Sequence, residues 1–283
     1  MLLADPILLE QSADLLENVR RVRPLVHCMT NRVTINDCAN IILAAGGSPI
    51  MAEDEREVEE IVAAAGALVI NLGILSETIF PSMLKAGRAA KRLGVPVILD
   101  PVGCGASKLR DDCCRQYIDE IHPDIVRGNM SEIKALAGMT SSTRGVDAGI
   151  DDAVTLDNAH QMSPLVTDLA KKLGTVVSAT AAVDIISDGS RTAFVANGHP
   201  MLCDVTGTGC MASALTGACA GAGDAFTAAT ACLILMGLAG EMAQEAVQAE
   251  GRGIGTFRIR HLDYIYTIQR EDILERGKVY ESR

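Results

Sequence analysis

The stretch best equipped for chemistry is Asp204-Val205-Thr206-Gly207-Thr208-Gly209-Cys210, followed at once by Met-Ala-Ser-Ala-Leu-Thr-Gly-Ala. Two glycines one residue apart, then a run of small residues, predict a tight turn feeding a helix. The first N–H groups of a helix lack intrahelical partners and carry the positive end of its dipole. Where glycine removes the side chains, a phosphate can approach that backbone closely. Gly207, Thr208, Gly209 and Cys210 therefore read as an anion cradle with a thiol at its mouth. A thiol at a helix N-terminus is expected to have a lowered pKa, poised as a thiolate or weak base. The plainer readings are an ordinary helix start and a small buried cysteine. Asp204, six residues upstream beyond the glycine turn, is expected to be structural.

Such a turn needs a scaffold, and the rest of the chain predicts one. Short apolar runs at 24–29, 48–51, 67–70, 95–99, 124–126 and 175–178 alternate with helical stretches at 8–23, 33–45, 53–65, 76–93, 111–121, 131–137 and 151–172. Near-continuous apolar strands between helices argue for a parallel sheet covered on both faces. Residues 183–186 and 192–195, joined through Asp188-Gly189, predict a hairpin. Two buried helices broken at Gly221-Ala222-Gly223 follow, then a helical tail from about 240 to 276. A polar loop falls at 139–149. No linker, repeat or low-complexity segment interrupts residues 1–283, which read as one domain.

In open α/β sheets ligands bind beyond the carboxyl ends of the strands. Those ends are Thr30-Asn31, Asn71-Gly73, Asp100-Gly103, Arg127-Asn129, Thr180 and Gly207–Cys210. One edge would gather a carboxylate, a guanidinium, amides, a hydroxyl, a thiol and the cradle. Asp100, just before a proline, suits either a turn or a carboxylate holding Mg²⁺ through water. Glu132 can complete a capping box with Asn129, face a metal, or both. Arg127 offers a rigid fork of donors for phosphate oxygens, its alternative being a surface cation.

Composition narrows the classes further. The 283 residues are 48% apolar with 26 glycines and 3% aromatics, a profile that suits a tightly packed α/β protein. A net charge of −11 without a basic cluster argues against nucleic acid and anionic membrane as partners. Nine scattered cysteines form no C-x-x-C pair and fit reduced thiols, hence a cytoplasmic setting. No signal peptide is visible. Between Cys210 and Gly240 the sole charge is Asp224, yet glycines and threonines break that stretch, which reads as buried rather than membrane-spanning. The five histidines share no ligand spacing, so a zinc site is not expected. Neither a P-loop nor a G-x-S-x-G elbow occurs.

Val205-Thr-Gly-Thr-Gly-Cys210 resembles the glycine turn of ribokinase-like small-molecule kinases, where the last position is usually an aspartate base. Pro24-Leu-Val-His-Cys-Met-Thr-Asn31, Gly46-Gly-Ser-Pro-Ile-Met-Ala-Glu53, Leu99-Asp-Pro-Val-Gly103 and Val126-Arg-Gly-Asn-Met-Ser-Glu-Ile133 are similar to blocks of the hydroxyethylthiazole kinase family, in the same order. The resemblance implies a single-domain, three-layer αβα sandwich with a mostly parallel central sheet. It also implies ATP- and Mg²⁺-dependent phosphorylation of the primary alcohol of 4-methyl-5-(2-hydroxyethyl)thiazole in thiamine salvage. By the same resemblance Met51 and Gly207, with Asn31 and Val33 nearby, contact the thiazole. Arg127 and Thr180 contact ATP, Asp100 and Glu132 act around Mg²⁺, and Cys210 holds the base position. A homotrimer with pockets at subunit interfaces is implied as well. Cys203-Asp204, Cys104 and Met130 depart from the family pattern. The alternatives are a hydroxymethylpyrimidine kinase with the same cradle, or a non-catalytic ligand-binding member of the fold.

Overall fold

The computed structural model describes residues 2–139 and 154–282. Ten strands form one sheet: β1 (Leu2–Ala4), β2 (Leu25–Met29), β3 (Ser48–Ile50), β4 (Ala67–Asn71), β5 (Val97–Asp100), β6 (Ile125–Asn129), β7 (Val176–Thr180), β8 (Asp184–Ser187), β9 (Thr192–Val195) and β10 (Val279–Ser282). Their spatial order is β1-β10-β9-β8-β7-β6-β5-β4-β2-β3. The six strands from β7 to β3 run parallel, and β8, β9, β10 and β1 extend the sheet antiparallel.

Period-two alternation along the strands divides the apolar side chains between two cores. Val26, Cys28, Ala67, Val69 and Ile98 face one. Met29, Leu68, Ile70, Val97 and Leu99 face the other. The first core is closed by α1 (Pro6–Val22), α2 (Ile35–Ala45), α8 (Thr208–Ala220) and α9 (Ala225–Glu250), with α10 (Ile254–Thr267) and α11 (Arg270–Arg276) beyond. The second is closed by α3 (Val58–Ala64), α4 (Ile79–Leu93), α5 (Lys108–Ile121), α6 (Met130–Leu136) and α7 (Ala159–Leu173). The layering is therefore helix, sheet, helix.

Helix starts follow local chemistry. The Ser107 hydroxyl accepts the Arg110 N–H to cap α5. Asn129 and Glu132 form a reciprocal capping box at α6. Asp224 accepts the N–H groups of Phe226 and Thr227 at the start of α9. That helix is long and apolar enough to cross a membrane, but most of it lies inside the fold as a core helix.

Several expected boundaries shift. The helix expected over 53–65 begins only at Val58, because Asp54 draws the Arg56 N–H onto its own carboxylate and forms a local turn. The helix expected from 151 starts at Ala159 after a turn, and residues 151–153, like most of the loop expected at 139–149, lie outside the described residues. The expected tail is divided by left-handed Gly251 and again near Ile268. Strands β1 and β10 were not expected; each is short, β10 being ordered against β9 and β1 against β10.

The sheet positions α8 by close approach at Gly217. A Cβ there would sit 2.4 Å from Val69 Cγ2 and 3.0 Å from Val26 Cγ1. Gly217→Ala should therefore destabilise the protein by about 1–3 kcal/mol, read as a lower denaturant midpoint at unchanged slope.

Candidate functional site

The strand ends named from the sequence converge on the N-terminus of α8. Gly207 is its N-cap, with φ +88°, a left-handed conformation that glycine adopts without strain. A Cβ at this position would lie 2.4 Å from Thr34 Cγ2, so the turn also needs glycine for space. Met211 N–H makes the first helical bond, to Gly207 O, and the N–H groups of Thr208, Gly209 and Cys210 lie ahead of it.

Side chains from two more strand ends meet the sulfur of Cys210, and a third joins them through Asn71. Asn31 Nδ2 donates to Cys210 Sγ at 3.3 Å and to Asn71 Oδ1 at 3.2 Å. Asn71 Nδ2 donates to Cys210 Sγ at 3.2 Å and to Asp100 Oδ2 at 2.7 Å. Ser213, one turn after Cys210 on α8, donates its hydroxyl to the same Asp100 oxygen at 2.7 Å. Thiol, two amides, hydroxyl and carboxylate thus form one connected network.

A second group lies beside it. Arg127 is buried on β6; its Nη1 donates to Gly209 O at 2.8 Å and its Nη2 to Thr180 Oγ1 at 3.1 Å. Its Nε has no partner among the described residues. Gly209 joins the two groups, since its carbonyl holds Arg127 while the next residue carries the thiol. Glu132 accepts Gly103 N–H and Asn129 N–H, each at 2.8 Å, so the capping box also ties down the turn after β5.

Burial governs the electrostatics. It pushes Asp100 up to about 6, against the pull of Arg127 and the hydrogen bonds from Ser213 and Asn71. Burial and then the charge of Asp100 push Glu132 up to about 7, against two backbone donors and Arg127. Cys210 overturns the lowered pKa expected at a helix N-terminus. Desolvation, followed by the charges of Asp100 and Cys38, pushes the thiol up to about 12, and it is protonated at neutral pH. Sequence position revealed the helix start but not the depth of the sulfur.

The remaining expected residues divide. Met51 follows edge strand β3 and is partly buried against the first core. Val33 is 70% exposed, and its N–H donates to Asn31 Oδ1 at 3.1 Å, so its side chain stands outside the thiol network. Asp204 is exposed at the end of a short 3₁₀ turn, Pro200–Asp204. The sequence marks Asn71 as a strand end but not as a site residue, and it does not mark Ser213. The three-residue spacing from Cys210 to Ser213, which places both on one helix face, was the available signal. Among the described residues no three His, Cys, Asp or Glu side chains are grouped closely enough to hold a metal by themselves.

A glycine turn at a helix start, with a guanidinium, two buried carboxylates and a polar sulfur at the carboxyl edge of a parallel sheet, defines a small-molecule kinase of ribokinase-like fold. The chain belongs to the hydroxyethylthiazole kinase family, whose model matches residues 16–271. It is 46% identical to a hydroxyethylthiazole kinase of Clostridium botulinum over 96% of this chain and 97% of that protein. It is 40% identical to one from Methanobrevibacter smithii over 96% of this chain and 97% of that protein. The solved structure of hydroxyethylthiazole kinase from Pyrococcus horikoshii matches with a TM-score of 0.85 at 39% identity, covering 96% of this chain and 99% of that one. A ribokinase-like superfamily protein from Enterococcus faecalis, 14% identical, shares the fold with a TM-score of 0.60, covering 94% and 96% of the two chains.

One buried carboxylate lies apart from the thiol network. Asp184, on β8, accepts Ala181 N–H at 2.9 Å, and burial pushes it from 3.8 up to about 7. Its folded pKa lies above its unfolded value, so the folded state holds the extra proton and stability is lost as pH rises from about 4 through 7. Asp184→Asn removes that dependence. At pH 8 the variant should exceed the parent by on the order of 3 kcal/mol, and the advantage should vanish near pH 4, as urea unfolding across pH would measure.

Proposed function

We propose that this chain transfers the γ-phosphoryl group of ATP to the primary alcohol of 4-methyl-5-(2-hydroxyethyl)thiazole, a thiamine salvage step. One observation carries the reading: Cys210 Sγ lies at the mouth of the glycine turn, linked through Asn71 to Asp100. Family membership supplies the substrate class.

Phosphoryl transfer through a loose transition state asks mainly for positioning and charge stabilisation. The backbone N–H groups of Gly207–Cys210 would cradle the migrating group. Arg127, with Thr180 beside it, would hold nucleotide phosphates, and its unpartnered Nε leaves donor capacity. Met51, Gly207, Asn31 and Val33 would border the thiazole. The thiol of Cys210 is a poor base while protonated. The alcohol proton leaves late, however, and passes to an oxygen of the phosphoryl group being transferred, so the protonated sulfur has only to accept a hydrogen bond from a hydroxyl already aimed at phosphorus.

A divalent cation suits Asp100 and Glu132, two buried carboxylates whose charges oppose each other. With so few protein donors, Mg²⁺ would be held by phosphate oxygens and water as much as by this pair. Bound there, it neutralises phosphate charge. A homotrimer would cover the apolar side chains that one copy leaves exposed, among them Val33, Leu43, Ile259 and Tyr266. A single-domain enzyme working in the cytoplasm is consistent with the continuous sheet and with nine free thiols.

ADP release with ATP, Mg²⁺ and either the thiazole alcohol or hydroxymethylpyrimidine tests the substrate. Turnover of the thiazole is expected, and activity confined to the pyrimidine, or thiazole binding without turnover, would overturn the proposal. Cys210→Ser should bind both substrates while lowering kcat roughly tenfold, the scale of one weakened orienting hydrogen bond. Unchanged turnover in this variant would remove the sulfur from the reaction. Arg127→Ala should raise the KM for ATP about 10- to 100-fold, the loss of one charge-assisted phosphate contact, and leave the KM for the thiazole nearly unchanged.

A further inference from the structure

Arg110, on the first turn of α5, spends its guanidinium in an unusual way. Nη1 donates to Leu72 O at 2.7 Å and to Val102 O at 2.8 Å, and Nη2 donates to Gly73 O at 3.0 Å. Among the described residues it forms no ion pair. A partly buried cation is thus devoted to three main-chain carbonyls on two different turns, one after β4 and one after β5.

Those turns carry Asn71 and Asp100, which are register partners at the ends of their strands. The Leu72–Gly73 peptide unit, whose Leu72 carbonyl Arg110 holds, donates its Gly73 N–H to Asn71 Oδ1 at 2.9 Å. That bond orients the Asn71 amide, leaving Nδ2 to face Asp100 and Cys210. On the other turn the Arg110 side chain lies against Gly103, where an added Cβ would come within 3.0 Å of its Cδ and 3.2 Å of its Nε. Gly103 N–H is held from the opposite side by Glu132. The turn after β5 is therefore clamped between a guanidinium and a carboxylate.

We propose that Arg110 is a positioning residue: by bridging the turns after β4 and β5 it aims the Asn71 amide at both Asp100 and the Cys210 sulfur. A planar fork can satisfy two turns at once, whereas a lysine ammonium lacks the rigid spacing. This assignment rests on the kinase reading for its kinetic consequence, but its geometric consequence, an aligned Asn71 amide against Cys210, does not.

Arg110→Ala and Arg110→Lys, purified and checked for native circular dichroism, test it. Loss of the bridge should lower kcat for thiazole phosphorylation about 10- to 100-fold, the scale of a misalignment near one ångström. The KM for ATP should stay within about twofold, since Arg127 and Thr180 lie on other strands. Arg110→Lys should recover only part of the loss, and added methylguanidinium should restore part of kcat to Arg110→Ala. Alkylation of Cys210 by iodoacetamide, followed by mass spectrometry, should be faster in Arg110→Ala, because the amide cradle around the sulfur loosens. If a folded Arg110→Ala keeps both the parent kcat and the parent alkylation rate, the proposal is wrong. It is equally wrong if the variant loses thermal stability and activity together with no response to methylguanidinium. An inactive parent enzyme would overturn the substrate reading alone, and the alkylation rates would still decide the role of Arg110.

Discussion

Arg127 is a buried cation whose hydrogen-bond partners are all neutral, and the charge balance of the site turns on it. Its compensation comes through space from three buried carboxylates, Asp100, Glu132 and Asp184, each of which it holds below where burial alone would put it. One positive charge does not cancel three carboxylates. The free site is therefore poised with an excess of negative charge, and part of that excess is relieved by proton uptake near neutral pH. The parallel sheet makes the arrangement tolerable, because strand ends and the start of α8 supply backbone dipoles where ordinary solvent has been excluded.

Around that charge the structure is a set of fixed turns. Glu132 closes a helix cap and holds Gly103. Asn31 caps its own turn through the N–H groups of Val33 and Thr34 while offering its amide to the sulfur. Each polar side chain near the site thus has a local structural duty as well as a partner across the site. That double use explains why the residue types of Asp100 and Glu132 suit both a turn or cap and a metal; the capping box of Glu132 is present, and for Asp100 a network replaces the turn.

Much of this was legible beforehand because it rests on local rules. The alternation of apolar strands and helices predicted the layered sandwich, Asp188-Gly189 predicted the β8–β9 hairpin, and Gly221–Gly223 predicted the break between α8 and α9. Five strand ends and the glycine turn were expected on one edge, and they meet there. What escaped depended on partners distant in the chain. Strands β1 and β10 are only three and four residues long and form only by adding to the edge at β9. Ser213 and Arg110 look like ordinary helix residues until the turns they touch are placed. The thiol's pKa was misjudged because helix position is written in the sequence, whereas desolvation belongs to the folded surroundings.

The depth of that sulfur has a chemical corollary. Peroxides and electrophiles attack the thiolate, and a thiol that keeps its proton up to about pH 12 presents almost none of it. The burial that weakens Cys210 as a base should also make it slow to oxidise or to be modified covalently. A ribokinase-like site with sulfur where an aspartate is usual would then trade proton affinity for little added sensitivity to oxidative stress, provided the asparagine cradle stays closed.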